Sequence, residues 1–282
     1  MRSLEVVRHG PPDGRVLVFH VGTPNAPDEF PLLTDALDER GWQLVAYARP
    51  GYAGSARREG RSVADAAGDV ATVLDHLGLD RCVTIGWSGG GPHALACAAL
   101  LPDRCDAAAI LAGVAPFDAD GLDFLAGMGP QNVEEFGAAV RSRAELEAFL
   151  EQFASELSSI AGEDVAASLG GLLDDVDRAA VTGELAETIA RMIRRALSTG
   201  TAGWVDDDLA FVKPWGFDLS QVAVPVSIWQ GAHDRMVPFA HGEWLAAHVH
   251  GARSHIYDDE GHISLIHQLP RILSDVADRR SA

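Results

Sequence analysis

An α/β fold is predicted: a doubly wound, mostly parallel sheet with an inserted all-helical segment. Three observations predict it. Over the first 115 residues, β-branched and aromatic runs alternate with apolar residues at helical spacing. Between 116 and 210 no strand pattern stands out, and the alternation returns from about 211. That order, strand–helix–strand with a late interruption, is the signature of a parallel sheet covered on both faces. The organisation read from it is a first core part at 1–115, a helical segment at 116–210 and a second core part at 211–282.

Each element has its local reason. Val16-Leu17-Val18-Phe19 is a continuous apolar run, as expected of a strand buried on both sides. Leu32, Leu33, Ala36 and Leu37 follow at helical spacing, and Gly41 ends that helix before a second buried strand at 42–47. Apolar residues at 63, 66, 67, 70, 73, 74 and 77 trace one helix face up to Gly78. A strand at 82–86, a helix at 92–101 and a strand at 107–111 complete the first part. Amphipathic helices are expected at 133–140, 144–157, 165–176 and 185–197. The second part holds strands at 224–229 and 252–257 and helices at 238–249 and 264–276.

Composition removes several function classes. The 282 residues carry 22 Lys+Arg against 41 Asp+Glu, a net charge of −19, with no basic cluster. Such a surface repels polyanions, so no nucleic-acid partner is expected. Cys82, Cys97 and Cys105 are an odd number without paired spacing, which argues against a disulfide framework or a zinc site. No His/Asp/Glu spacing suggests a metal. The opening Met1-Arg2-Ser3-Leu4-Glu5 lacks the apolar core of a signal peptide. The longest apolar run, 94–101, is far short of the ~20 residues of a membrane helix. A cytoplasmic protein with no membrane association is expected, and a homodimer is compatible with the sequence.

The chemistry lies in a short motif. Gly86-Trp87-Ser88-Gly89-Gly90 fits G-x-S-x-G, between an expected strand and an expected helix. A serine on so sharp a turn needs small residues two before and two after it, and both are glycine here. The turn would lift the Ser88 hydroxyl clear of the sheet, beside the free N–H groups of the next helix. Serine needs a base oriented by a carboxylate. Gly231-Ala232-His233-Asp234 and Gly261-His262 each follow an expected strand, so Asp234 and His262 fall at the carboxyl edge of the sheet with Ser88. Asp234 could instead only cap the next helix, and Asp258 or Asp259 could replace it, although they lie close to His262 in sequence. Oxyanion donors are expected from the Gly89 N–H and, after the first core strand at Phe19-His20-Val21-Gly22-Thr23-Pro24, from the Thr23 N–H. His20 and His93 are expected to be structural, and His233 and His267 have no assigned role. Trp87 either packs under the elbow or borders the pocket.

These motifs resemble those of the α/β-hydrolase superfamily, in its esterase-like branch with a helical cap. The likeness covers nearly the whole chain: the loop at 20–24, the elbow at 86–90, the acid loop at 231–234 and the histidine at 262. Pro214-Trp215-Gly216-Phe217-Asp218 resembles the segment by which such chains re-enter the core. Three positions depart. Val21 stands where relatives carry His before Gly, and the loop from Ala48 to Ser55 has Ala48 for Asp and Ala53 for Gly. The resemblance implies a cofactor-independent serine hydrolase acting on a small or medium, largely apolar ester or lactone. Amide or C–C bond hydrolysis by the same triad, or a receptor without turnover, are the alternatives.

Overall fold

The computed structural model describes residues 3–278. The first core part runs β1 (Val6–His9), β2 (Arg15–His20), α1 (Pro31–Asp38), β3 (Trp42–Tyr47), α2 (Asp65–Leu77), β4 (Cys82–Trp87), α3 (Gly91–Leu100) and β5 (Cys105–Leu111). Six helices then follow without an intervening strand among the described residues. They are α4 (Pro130–Arg141), α5 (Arg143–Leu157), α6 (Val165–Leu169), α7 (Asp175–Ala180), α8 (Gly183–Leu197) and α9 (Ala202–Phe211). The chain closes with β6 (Val226–Gly231), α10 (Phe239–His248), β7 (Arg253–Tyr257) and α11 (Leu269–Ala277).

The strands form one sheet in the order β1-β3-β2-β4-β5-β6-β7, with only β1 antiparallel to its neighbour. The period of two along β2 decides the layers. Leu17 and Phe19 face the side covered by α1 and α11, where Leu33, Leu37, Ile272 and Leu273 pack. Val16 and Val18 face α2, through Val70, Val73 and Leu74. Every residue of β3 and β4 is buried, the polar Gln43 and Thr84 included, as expected of strands covered on both faces.

Two elements escape the sequence patterns. β1 is a half-buried edge strand of four residues, too short to show alternation. α9 contains Asp206-Asp207-Asp208 and would pass for a solvated loop, yet all three are buried. Two expected helices are also divided. The stretch 165–176 breaks at Gly170, whose φ of 49° lies in the left-handed region, and a 3-10 turn joins the pieces. The last helix begins as a 3-10 turn at Ser264–Gln268, before Pro270 enters the first turn of α11. No described helix is long and apolar enough to cross a membrane.

Candidate active site

Ser88 follows β4 directly, and its φ is +57°, a conformation costly for a residue with a Cβ. The glycines on either side make that turn feasible. A Cβ on Gly86 would collide with the Gly90 carbonyl, and one on Gly90 with the His20 carbonyl. Gly22 and Thr23 close in from the other side. A Cβ at Gly22 would lie 3.2 Å from Ser88 Cβ, and one at Gly89 only 2.5 Å from Thr23 Oγ1. The elbow and the loop after β2 thus meet backbone to backbone, the arrangement that two main-chain oxyanion donors require.

Opposite them, β6 and β7 deliver the other two residues. His262 Nδ1 lies 2.8 Å from Asp234 Oδ2, both side chains being buried. A carboxylate only accepts, so Nδ1 carries the proton and Nε2 is left as the basic nitrogen. Asp234 also receives the N–H groups of Met236 and Val237 on Oδ1, at 2.8 and 2.7 Å, and the Gln230 amide on Oδ2 at 3.1 Å. Asp234 does not cap the next helix, since α10 has Pro238 at its N-cap and no side-chain cap; its Oδ1 instead holds the turn before that helix while Oδ2 meets His262, and neither Asp258 nor Asp259 takes that place. Burial lowers the His262 pKa, but the charge and hydrogen bond of Asp234, with the charge of Asp177, more than reverse this and hold it above the ordinary histidine value.

Ser88, Gly89, Thr23, Trp87 and His262 line one cavity of about 110 Å³. Trp87 is buried, its Nε1 donates to the His262 carbonyl (3.2 Å), and it also lines the cavity. The inserted helices supply the facing wall, including Phe136, Phe153, Leu172, Ile189 and Ile193. His20 lies beneath the loop, stacked on His93, with its pKa lowered to about 3 by burial and by Arg49. His93 is likewise pushed down by burial, and its Nδ1–H donates to the Gly89 carbonyl (2.8 Å). Both are structural, as expected.

A model of the alpha/beta hydrolase fold matches residues 15–268. The chain belongs to the alpha/beta hydrolase fold family. An uncharacterized hydrolase, YcgS, of Bacillus subtilis is 23% identical over 250 residues, covering 88% of this chain and 84% of its own. A pimeloyl-[acyl-carrier protein] methyl ester esterase of Aromatoleum aromaticum is 30% identical over 186 residues, 65% of this chain and 67% of its own. Among solved structures, the enol-lactonase of Burkholderia xenovorans superposes with a TM-score of 0.70 at 20% identity, covering 98% of this chain and 96% of that one.

Three residues of this α/β hydrolase hold the site together and were not singled out from the sequence. Arg49, fully buried, donates to the carbonyls of Val21 (2.6 Å) and Gly22 (2.8 Å) and to Thr23 Oγ1 (2.9 Å). It thereby fixes the loop in which Val21 departs from its relatives. Ala53, in the same loop as Arg49, has φ +45°, a conformation that costs less for glycine than for a residue with a Cβ. Asp207 of α9 pairs with Arg49 (2.6 Å) and Arg61 (2.6 Å) and accepts from Thr23 Oγ1 and Tyr52 Oη. Asp177 of α7 receives the N–H groups of His262 (2.9 Å), Ile263 (2.8 Å) and Ser264 (2.9 Å). A Cβ on Gly261 would sit 2.5 Å from that carboxylate, so glycine is required before His262. One signal for Asp207 was present. Three consecutive acids on a helix point in directions about 100° apart, and apolar residues flank them on both sides, so one at least must face inward.

Proposed function

We propose that this chain is a serine hydrolase of carboxylic esters or lactones, with Ser88 as nucleophile, His262 as general base and Asp234 as its orienting acid. One observation carries the reading: Ser88 sits strained on its turn in the same cavity as a histidine whose Nδ1 is fixed by a buried carboxylate. Ser88 Oγ attacks the carbonyl carbon while His262 Nε2 takes its proton, and the N–H groups of Thr23 and Gly89 receive the oxyanion. His262 returns the proton to the leaving alcohol, and water then cleaves the acyl-enzyme with the same base. Asp234 keeps the imidazole in the productive tautomer and offsets its transient charge.

The inserted helices act as a cap over that chemistry. Their aromatic and aliphatic wall suits an acyl or alcohol chain that is largely apolar. The methyl ester esterase and the enol-lactonase among the similar proteins agree with this substrate class.

The test is intact-mass analysis after exposure to a fluorophosphonate, with wild type, Ser88→Ala and His262→Ala in parallel. A single adduct at Ser88 is expected in the wild type, none in Ser88→Ala, and labelling slowed at least ~100-fold in His262→Ala. A folded wild type that stays unlabelled defeats the proposal.

A further inference from the structure

A second polar pole lies in the same cavity. Glu135 of α4 and Asp208 of α9 both line it, and their side chains face each other. The Trp204 indole N–H donates to Glu135 Oε1 at 2.7 Å. No N–H or hydroxyl of the described residues reaches Asp208 Oδ2, although Asp208 is only 1% exposed. Its two sequence neighbours are treated differently. Asp206 receives Arg57 and Arg143, and Asp207 receives Arg49 and Arg61. Asp208 has the Glu135 carboxyl as its side-chain hydrogen-bonding neighbour instead. Asp207 and Arg61 are the charges that act on it besides Glu135.

Two desolvated carboxyls in contact cannot both ionise, so the pair holds a proton. Burial pushes Glu135 up to about 7, against the pull of its hydrogen bonds to Asp208 and Trp204. Burial and the Glu135 charge raise Asp208 well above the usual carboxylate range. Such a pair is an expensive lining for a cavity whose walls are mostly apolar. Of the other polar side chains of the lining, Asn25 Oδ1 also lacks a partner among the described residues. The Asn132 amide donates to the Met236 carbonyl (3.0 Å), the Thr23 hydroxyl to Asp207, and Asn25 sits by Gly22 at the Ser88 end.

We propose that Glu135 and Asp208 determine substrate specificity in this cavity, by accepting a hydrogen bond from a hydroxyl or amine carried on the substrate chain. The preferred substrates are then donor-bearing esters or lactones, not plain alkyl ones. This rests on the ester-hydrolase reading for the substrate class, while the site itself rests on the cavity.

Binding separates the two. In the Ser88→Ala protein, which cannot turn over, calorimetric titration compares plain methyl esters with ω-hydroxy and ω-amino methyl esters of the same chain lengths. At the best length, the donor-bearing esters are expected to bind at least ~10-fold more tightly than the plain ones, the effect of one hydrogen bond to a charged acceptor. Adding Asp208→Leu should reduce that ratio to near one. Should that variant fail to fold, the isosteric Glu135→Gln/Asp208→Asn pair serves. It should diminish the advantage of the amine far more than that of the hydroxyl, because no anion remains. Equal binding of plain and donor-bearing esters, no binding of either, an advantage that survives Asp208→Leu, or an amine advantage that survives the isosteric pair overturns the proposal. Turnover of plain esters without donor preference would defeat this inference alone. A donor preference in a protein whose Ser88 is never labelled would defeat the hydrolase reading alone.

Discussion

Asp207 and Asp208 are adjacent on one helix and equally withdrawn from water, yet their surroundings push their pKa values in opposite directions. Behind the loop at Thr23, Asp207 meets two guanidinium groups. Burial works against its ionised form, but Arg49 and Arg61 outweigh it and hold the carboxyl far below its usual range. Inside the cavity, Asp208 meets Glu135, and burial is reinforced instead of opposed. The difference teaches that burial alone does not set a carboxyl's state; the partner does. Asp177 is intermediate. Burial raises it, while three backbone N–H groups and the nearby His262 pull the other way without a permanent cation.

The same aspartate-to-asparagine change at these three positions should therefore give three different losses. Asp207→Asn leaves Arg49 and Arg61 buried without a counter-charge and should lower the unfolding free energy by about 3–5 kcal/mol in urea denaturation. Fluorophosphonate labelling of Ser88 should slow with it, since Arg49 also holds the Val21 and Gly22 carbonyls. A loss below ~1 kcal/mol would mean that the two arginines find water, and the contrast with Asp208 would collapse.

Asp177→Asn is expected to cost about 1–3 kcal/mol, because one amide oxygen cannot serve three N–H donors as a carboxylate does. It also removes one of the charges that raise the His262 pKa. His262 must be neutral to act as base, so activity rises as pH climbs through its pKa. In the variant the ascending limb of kcat/KM should move to lower pH; a limb that stays put shows Asp177 to be mechanical only.

Asp208→Asn should change stability least, within about 1 kcal/mol near neutral pH, since the amide donates to Glu135 and no shared proton is needed. The sign of its pH dependence is the sharper test. With a folded pKa near 7 against 4.5 unfolded, Glu135 binds more protons in the native state across that interval. Wild-type stability from this group thus falls as pH rises from about 4.5 to about 7. The variant should gain on the wild type over the same window in denaturation measured at several pH values. A constant difference would deny the shared proton.

The α/β core and the Ser88, Asp234 and His262 positions were legible because their signals are local. A buried parallel strand is an unbroken apolar run, and a nucleophile turn needs glycine at fixed offsets from the serine. The 165–176 stretch misled because periodicity continued across Gly170, where the backbone turns left-handed. Val6–His9 was silent because four half-buried residues at an edge carry no period.

The sequence by itself determined the layered fold, the order of the site residues along the chain and the edge of the sheet on which they fall. Those follow from spacing, which is a property of neighbours in the chain. Only the tertiary structure decided which acid meets which partner: Asp207 with arginines more than 140 positions away, Asp177 with the backbone after His262, and Asp208 with Glu135. A carboxyl's charge depends on what lies within a few ångströms once water has been excluded, and that neighbourhood is assembled only when the inserted helices close over the sheet.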